Sequence, residues 1–200
     1  MGKKIGVLLS GCGVYDGSEI HETVLTLLYL DQKGAETVCM APNIPQRHVV
    51  NHITNEAMDE ERNVLVESAR IARGDVQDLK NVAVENLDAL IIPGGFGAAK
   101  NLIDFAEKGP DATVNPEVAR VLLEMVRAEK PVGALCIAPA TLTKALSSLK
   151  PDVTIGNDGG TASAMSSMGG IHLNCTVDMI HVDEQNRLVS SPAYLLGPDI

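Results

Sequence analysis

The stretch "KPVGALCIAPATL", residues 130–142, decides the fold. Residues 131–135 form a short apolar run, the length and composition of a strand buried in a parallel sheet. A helical pattern follows over residues 139–149, and Pro139 suits its first turn because the missing N–H is not needed there. Cys136, Ile137 and Ala138 alone turn the corner between the two. A strand, a sharp turn and a helix in immediate succession is half of a β-α-β unit.

Working outward, the same alternation repeats along the chain. Residues 4–10, "KIGVLLS", 35–41, "AETVCMA", and 87–93, "NLDALIIP" without its first residue, are further apolar runs that read as strands. Helical spacing covers residues 18–33, with Ser18 as the expected N-cap and Gly34 as the stop, and residues 116–129, with Pro116 near the first turn. Residues 58–73 are amphipathic, with acids first, basic residues late and Gly74 after them. Shorter β-like runs lie at 153–155, 177–182 and 188–190, and residues 180–182 and 188–190 are spaced for a hairpin around "DEQN". Strands alternating with helices predict a flavodoxin-like three-layer α/β/α sandwich with a mostly parallel sheet of order 2-1-3-4-5 and a nucleophile elbow, in one domain over residues 1–200. In such sheets ligands bind beyond the carboxyl ends of the strands, where this chain reads "SGCG", "PGGFGAAKNL" and "LCIAP".

Composition narrows the function classes. A net charge of −10 and 2% aromatic residues oppose phosphate backbones, base stacking and anionic membranes, so neither nucleic acid nor membrane is an expected partner. No apolar run approaches the roughly 20 residues of a membrane span, and the run 5–9 is shorter than a signal core, so the expected location is cytoplasmic. Cys12, Cys39, Cys136 and Cys175 form no C-x-x-C pair and are expected as free thiols.

Cys136 is the candidate nucleophile. At a strand-to-helix turn like the nucleophile elbow of hydrolases, a thiol is lifted above the sheet and meets a helix N-terminus, which favours the thiolate. The alternative is a small apolar residue packed under the helix. Gly94 and Gly95 end the preceding strand and allow backbone to approach a ligand; the N–H groups of Gly95 and Ile137 could together hold an oxyanion. They could equally be a tight turn. Glu22, one turn into the first helix, is either a base or proton donor aimed at Cys136 or a solvated first-turn glutamate. His48, His52 and Glu56 have i, i+4, i+8 spacing but no marked third strong ligand, so no metal is expected.

The combination of "HETV" around Glu22, "PGGFGAAKNL" and "LCIAPA" resembles the ThiJ/PfpI superfamily, a class I glutamine-amidotransferase-like group. "SGCGVYDGSEIHE", "APNIPQ", "NEAM…RNVLVESARIARG" and "PAYLL" look more closely like its ElbB branch, the isoprenoid biosynthesis glyoxalases, over essentially the whole chain. The resemblance implies a reactive Cys136 supported by Glu22, with Gly94, Gly95 and Ile137 at the oxyanion and substrate position. It implies a cofactor-independent lyase or hydratase that converts a small dicarbonyl, glyoxal, to glycolate, with deglycase activity as a relative of that reaction, and it implies a homodimer. Two departures stand out. Ile137 occupies the place where protease-like members carry histidine, and the chain reads "PAYLLGPDI" where relatives continue into a final helix. A thiol-based redox sensor and a chaperone-like protein without turnover are the alternative readings.

Overall fold

The computed structural model describes residues 2–197. Seven strands form the main sheet: β1 (Lys4–Leu8), β2 (Glu36–Ala41), β3 (Gln77–Asp78), β4 (Ala89–Ile92), β5 (Val132–Leu135), β6 (His181–Asp183) and β7 (Leu188–Ser191). Their spatial order is β6-β7-β5-β4-β1-β2-β3. All neighbours pair in parallel except the β6–β7 hairpin. The expected 2-1-3-4-5 core is therefore present, extended by a two-residue strand at one edge and an antiparallel strand at the other.

The helices are α1 (Ile20–Gln32), α2 (Val64–Ile71), α3 (Phe96–Lys100), α4 (Phe105–Lys108), α5 (Pro116–Arg127), α6 (Pro139–Ala145) and α7 (Gly159–Ser167). Alternation along β4 and β5 sorts the two faces of the sheet. Leu90, Ile92, Val132 and Ala134 point into the larger core with Leu122 and Met125 of α5 and Leu142 of α6. Each of the Leu, Ile, Val and Met side chains among them contributes about 1.5–3 kcal/mol on leaving water. On the opposite face Val7, Leu9, Cys39 and Ala41 pack with Val64 of α2, with Leu27 and Leu30 of α1 against them. Ile91 and Leu135 share that second face but are only half-buried, and they look into a cavity beside α1.

Several boundaries differ from the sequence reading, each for a local reason. α1 is capped by Glu19, whose carboxylate accepts from the Glu22 N–H at 2.6 Å; Ser18 instead turns its hydroxyl back to accept from the Ser10 N–H at 2.9 Å. α2 begins at Val64 with Asn63 as its cap, because residues 50–57 fold as a small antiparallel hairpin (Val50–Asn51 with Glu56–Ala57). "DEER" consequently lies outside any helix, and His48, His52 and Glu56 share no helical face. α7 begins with Gly159-Gly160 and lacks an apolar stripe, which hides it from periodicity; the Asp158 carboxylate caps it by accepting from the Thr161 N–H at 2.8 Å. The helix over 139–149 is interrupted after Ala145 and ends in a single 3-10 turn, Ser147–Leu149. Residues 152–153 pair in a separate two-stranded ladder with residues 171–172. The departure read at "PAYLLGPDI" runs beyond the described residues.

Candidate active site

Strand β5 hands over to α6 in three residues, and the geometry of that corner is carried by Cys136. Its φ is +57°, a left-handed conformation that a non-glycine residue adopts at a cost of roughly 1–3 kcal/mol. The corner is held by the Cys136 N–H donating to the Ser191 carbonyl at 2.9 Å and the Ala138 N–H donating to the Leu135 carbonyl at 2.9 Å. Strain of this kind is retained where the surrounding structure over-determines it, and here it projects the thiol beyond the strand end.

The glycine pair of the β4 end packs directly against that thiol. A Cβ on Gly94 would fall 2.6 Å from Glu22 Oε2 and 3.0 Å from Cys136 Sγ, so only glycine leaves the two side chains together. Gly95 has φ +93° and backbone of residues 17–19 pressed against its α-carbon. Its N–H and that of Ile137 both donate toward the Cys136 sulfur. The two donors read from sequence as an oxyanion pair are thus on the sulfur in the resting site.

Glu22 is 5% exposed and completes the cluster. Its Oε2 accepts from the Gly94 N–H at 2.7 Å, its Oε1 accepts from the Tyr194 N–H at 3.2 Å, and its carboxyl hydrogen-bonds Cys136. The solvated first-turn reading is therefore replaced by a buried one. Tyr194 is delivered by the turn after β7, where Ala193 has φ +43°, a second strained residue beside the first. That donor has no signal in the sequence beyond the unassigned "PAY".

Burial governs the acid–base character of the pair. It pushes the Glu22 carboxyl up to about 7, offset in part by the Gly94 and Tyr194 N–H groups. It pushes the Cys136 thiol up to about 12, with the Glu22 charge adding to the rise and the Gly95 and Ile137 N–H groups opposing it. The expectation that a helix N-terminus would favour free thiolate is corrected: burial and the Glu22 charge raise the thiol more than the Gly95 and Ile137 N–H groups lower it. Near neutrality the arrangement is a thiol touching a carboxyl that exchanges its proton in that range. Such a pair can deliver sulfur to an electrophile while the carboxylate takes the thiol proton.

An apolar cavity of about 540 Å³ runs from Glu22 along α1 to Lys33, walled by Leu25, Tyr29, Ile91 and Leu135. No group of three or more His, Cys, Asp or Glu side chains is arranged for a metal among the described residues. Asp158 is occupied as the α7 cap.

No family model matches the chain. It is 46% identical over 202 residues to the human glutamine amidotransferase-like class 1 domain-containing protein 3, mitochondrial, covering 96% of this chain and 75% of that protein. Among solved structures it superposes with a TM-score of 0.91 and 41% identity on an isoprenoid biosynthesis protein with amidotransferase-like domain from Ehrlichia chaffeensis, over 98% of this chain and 90% of that one. Drosophila melanogaster DJ-1beta shares the fold at a TM-score of 0.60 and 14% identity, over 96% of this chain and 82% of that one. The expected cytoplasmic location does not stand. The human relative and the rat and zebrafish ES1 proteins carry mitochondrial names, which point to the mitochondrion, and a chain without a membrane-spanning run carries no information on compartment. With the elbow cysteine, the helix glutamate and the glycine pair in one cluster, and relatives at this identity and coverage, the chain belongs to the glutamine amidotransferase-like class 1 domain family.

Proposed function

We propose that this protein is a cofactor-independent glyoxalase that converts glyoxal and water to glycolate at Cys136, with deglycation of early carbonyl adducts as a related activity. The observation that carries the reading is the contact of a buried thiol at φ +57° with a buried carboxyl poised near neutrality. The Cys136 sulfur adds to one aldehyde carbon as Glu22 carboxylate takes the thiol proton and passes it to the aldehyde oxygen, leaving a hemithioacetal. Glu22 then removes the C–H proton of that carbon, giving an enediol, and a proton returned to the neighbouring carbon yields a hydroxyacetyl thioester. One carbon is oxidised as its neighbour is reduced, so the step balances without a redox partner. Water attacks the thioester carbonyl, the C–S bond breaks, and glycolate leaves as the thiol regains its proton. In the tetrahedral steps the developing oxyanion draws on the N–H groups of Gly95 and Ile137, which leave the sulfur as it loses charge.

The redox-sensor alternative loses ground on the same geometry. Sensor cysteines are accessible, whereas Cys136 is 8% exposed. The reading is tested by incubating the protein with glyoxal in deuterium oxide. Glycolate carrying deuterium at its hydroxymethyl carbon supports the enediol route. Glycolate without deuterium would replace the Glu22 proton shuttle by a hydride shift, and no glycolate would remove the activity.

A further inference from the structure

Glu19 has no part in the reaction as written, yet it is tied to Glu22 through three hydrogen bonds that close a ring. The Glu19 N–H donates to the Gly94 carbonyl at 2.9 Å, the Gly94 N–H donates to Glu22 Oε2 at 2.7 Å, and the Glu22 N–H donates to Glu19 Oε2 at 2.6 Å. Glu19 is 7% exposed, and its other oxygen lies 3.0 Å from His21 Nδ1. A helix N-cap is ordinarily Ser, Thr, Asp or Asn, and Ser18 stands one residue earlier with its hydroxyl engaged at Ser10. The cap position is thus filled by a longer, charged side chain that places a second buried carboxylate within one turn of the first.

We propose that Glu19 is a positioning residue for Glu22: it fixes the first turn of α1 through the Glu22 N–H, and as a neighbouring buried carboxylate it disfavours the ionised form of Glu22. Its functional meaning rests on the glyoxalase reading, in which Glu22 must both take and return a proton. The groups that face Glu22 are few. Cys136 approaches from the elbow and raises no positive charge; the Gly94 loop and the Ala193–Tyr194 turn supply only N–H groups; Glu19 adds negative charge from α1 itself, with His21 set against it; Lys33 lies at the far end of the shared cavity. Nothing cationic touches the Glu22 carboxyl among the described residues, so Glu19 is left as the charge that tunes it.

The test is a titration of the ligand-free protein carrying carboxyl-labelled glutamate, read by carbon NMR, with the Glu22 signal assigned by its loss in Glu22→Gln. Glu19→Gln keeps a side-chain carbonyl for the Glu22 N–H and removes the charge; the Glu22 midpoint is expected to fall by roughly half to one pH unit. Asp31→Asn, at the other end of α1, is expected to leave it in place. Glu19→Asp retains the charge and serves if the glutamine variant folds poorly; its midpoint is expected to stay close to that of the parent protein. An unmoved midpoint in folded Glu19→Gln, a fall in Glu19→Asp as large as the one expected for glutamine, or an equal fall in Asp31→Asn would overturn the proposal. Because no substrate is present, a failure to make glycolate would sink the activity while leaving this result standing.

Discussion

Cys39 and Cys136 are the same residue type, each 8% exposed, one in a strand and the other just beyond a strand end. Burial raises both thiols, to about 11 and about 12. Cys39 sits within β2 in regular extended backbone, among Val7, Leu9, Ala41 and Val64, and Asp75 acts on it as a nearby charge. Cys136 stands in a strained turn with two N–H groups on its sulfur and Glu22 against it. Burial and thiol pKa therefore do not separate these two cysteines. Backbone conformation and the partners it brings into reach do.

The largest expected break in this comparison is in turnover. Cys136→Ala is expected to abolish glycolate formation, and Cys39→Ala to keep it within about twofold, since it removes only packing atoms. Next is Gly94→Ala. The added methyl group competes for the space of Cys136 Sγ and Glu22 Oε2, and kcat/KM is expected to fall by roughly 100-fold, the scale of a misplacement of about 1 Å.

Stability against pH sharpens the contrast. The folded-state value of Glu22 lies above its unfolded value of 4.5, so the neutral carboxyl is the form the fold favours. Its contribution is fully present below pH 4.5 and is lost as pH rises to about 7, a change on the order of 3 kcal/mol. Urea unfolding between pH 4.5 and 8 is expected to show this downward slope in the parent protein and to show it flattened in Glu22→Ala; Asp75→Asn, which removes the charge near Cys39, should leave the slope unchanged.

The smallest effect separates the two sulfurs by serine substitution. Cys39→Ser buries a hydroxyl in an aliphatic cluster and is expected to cost about 1–3 kcal/mol. Cys136→Ser places its oxygen where the Gly95 and Ile137 N–H groups already point, and is expected to cost less than about 1 kcal/mol in the same urea measurement.

The sequence made the sheet readable because parallel strands buried on both faces are continuous apolar runs, and "KIGVLLS", "AETVCMA" and "DALII" have no competing pattern. Pro139 made the elbow readable by marking where a helix begins. The contacts made at the elbow were not readable. Ser18 and Glu19 are both chemically able to cap α1, and the choice between them depends on Ser10, which lies across a loop. The Tyr194 donor comes from 172 residues away, and Ala193 reaches it through a conformation that its side chain does not advertise. Residues 48–57 show the opposite failure: helical spacing of His48, His52 and Glu56 was coincidental, because Asn51 and Asn55 favour the hairpin turn, and Asn55 takes φ +59°. The pKa direction of Cys136 was missed for a similar reason, since burial is a tertiary property that no local motif encodes.

The measurement that bears most directly on Cys136 as the reactive centre is carbon NMR of labelled glyoxal incubated with the parent protein, Cys136→Ala and Cys39→Ala. Glycolate is expected from the parent and from Cys39→Ala, with none above the uncatalysed background from Cys136→Ala. Glycolate formed at the parent rate by Cys136→Ala would contradict the account, because the strained elbow and its two N–H donors would then surround a sulfur the reaction does not use.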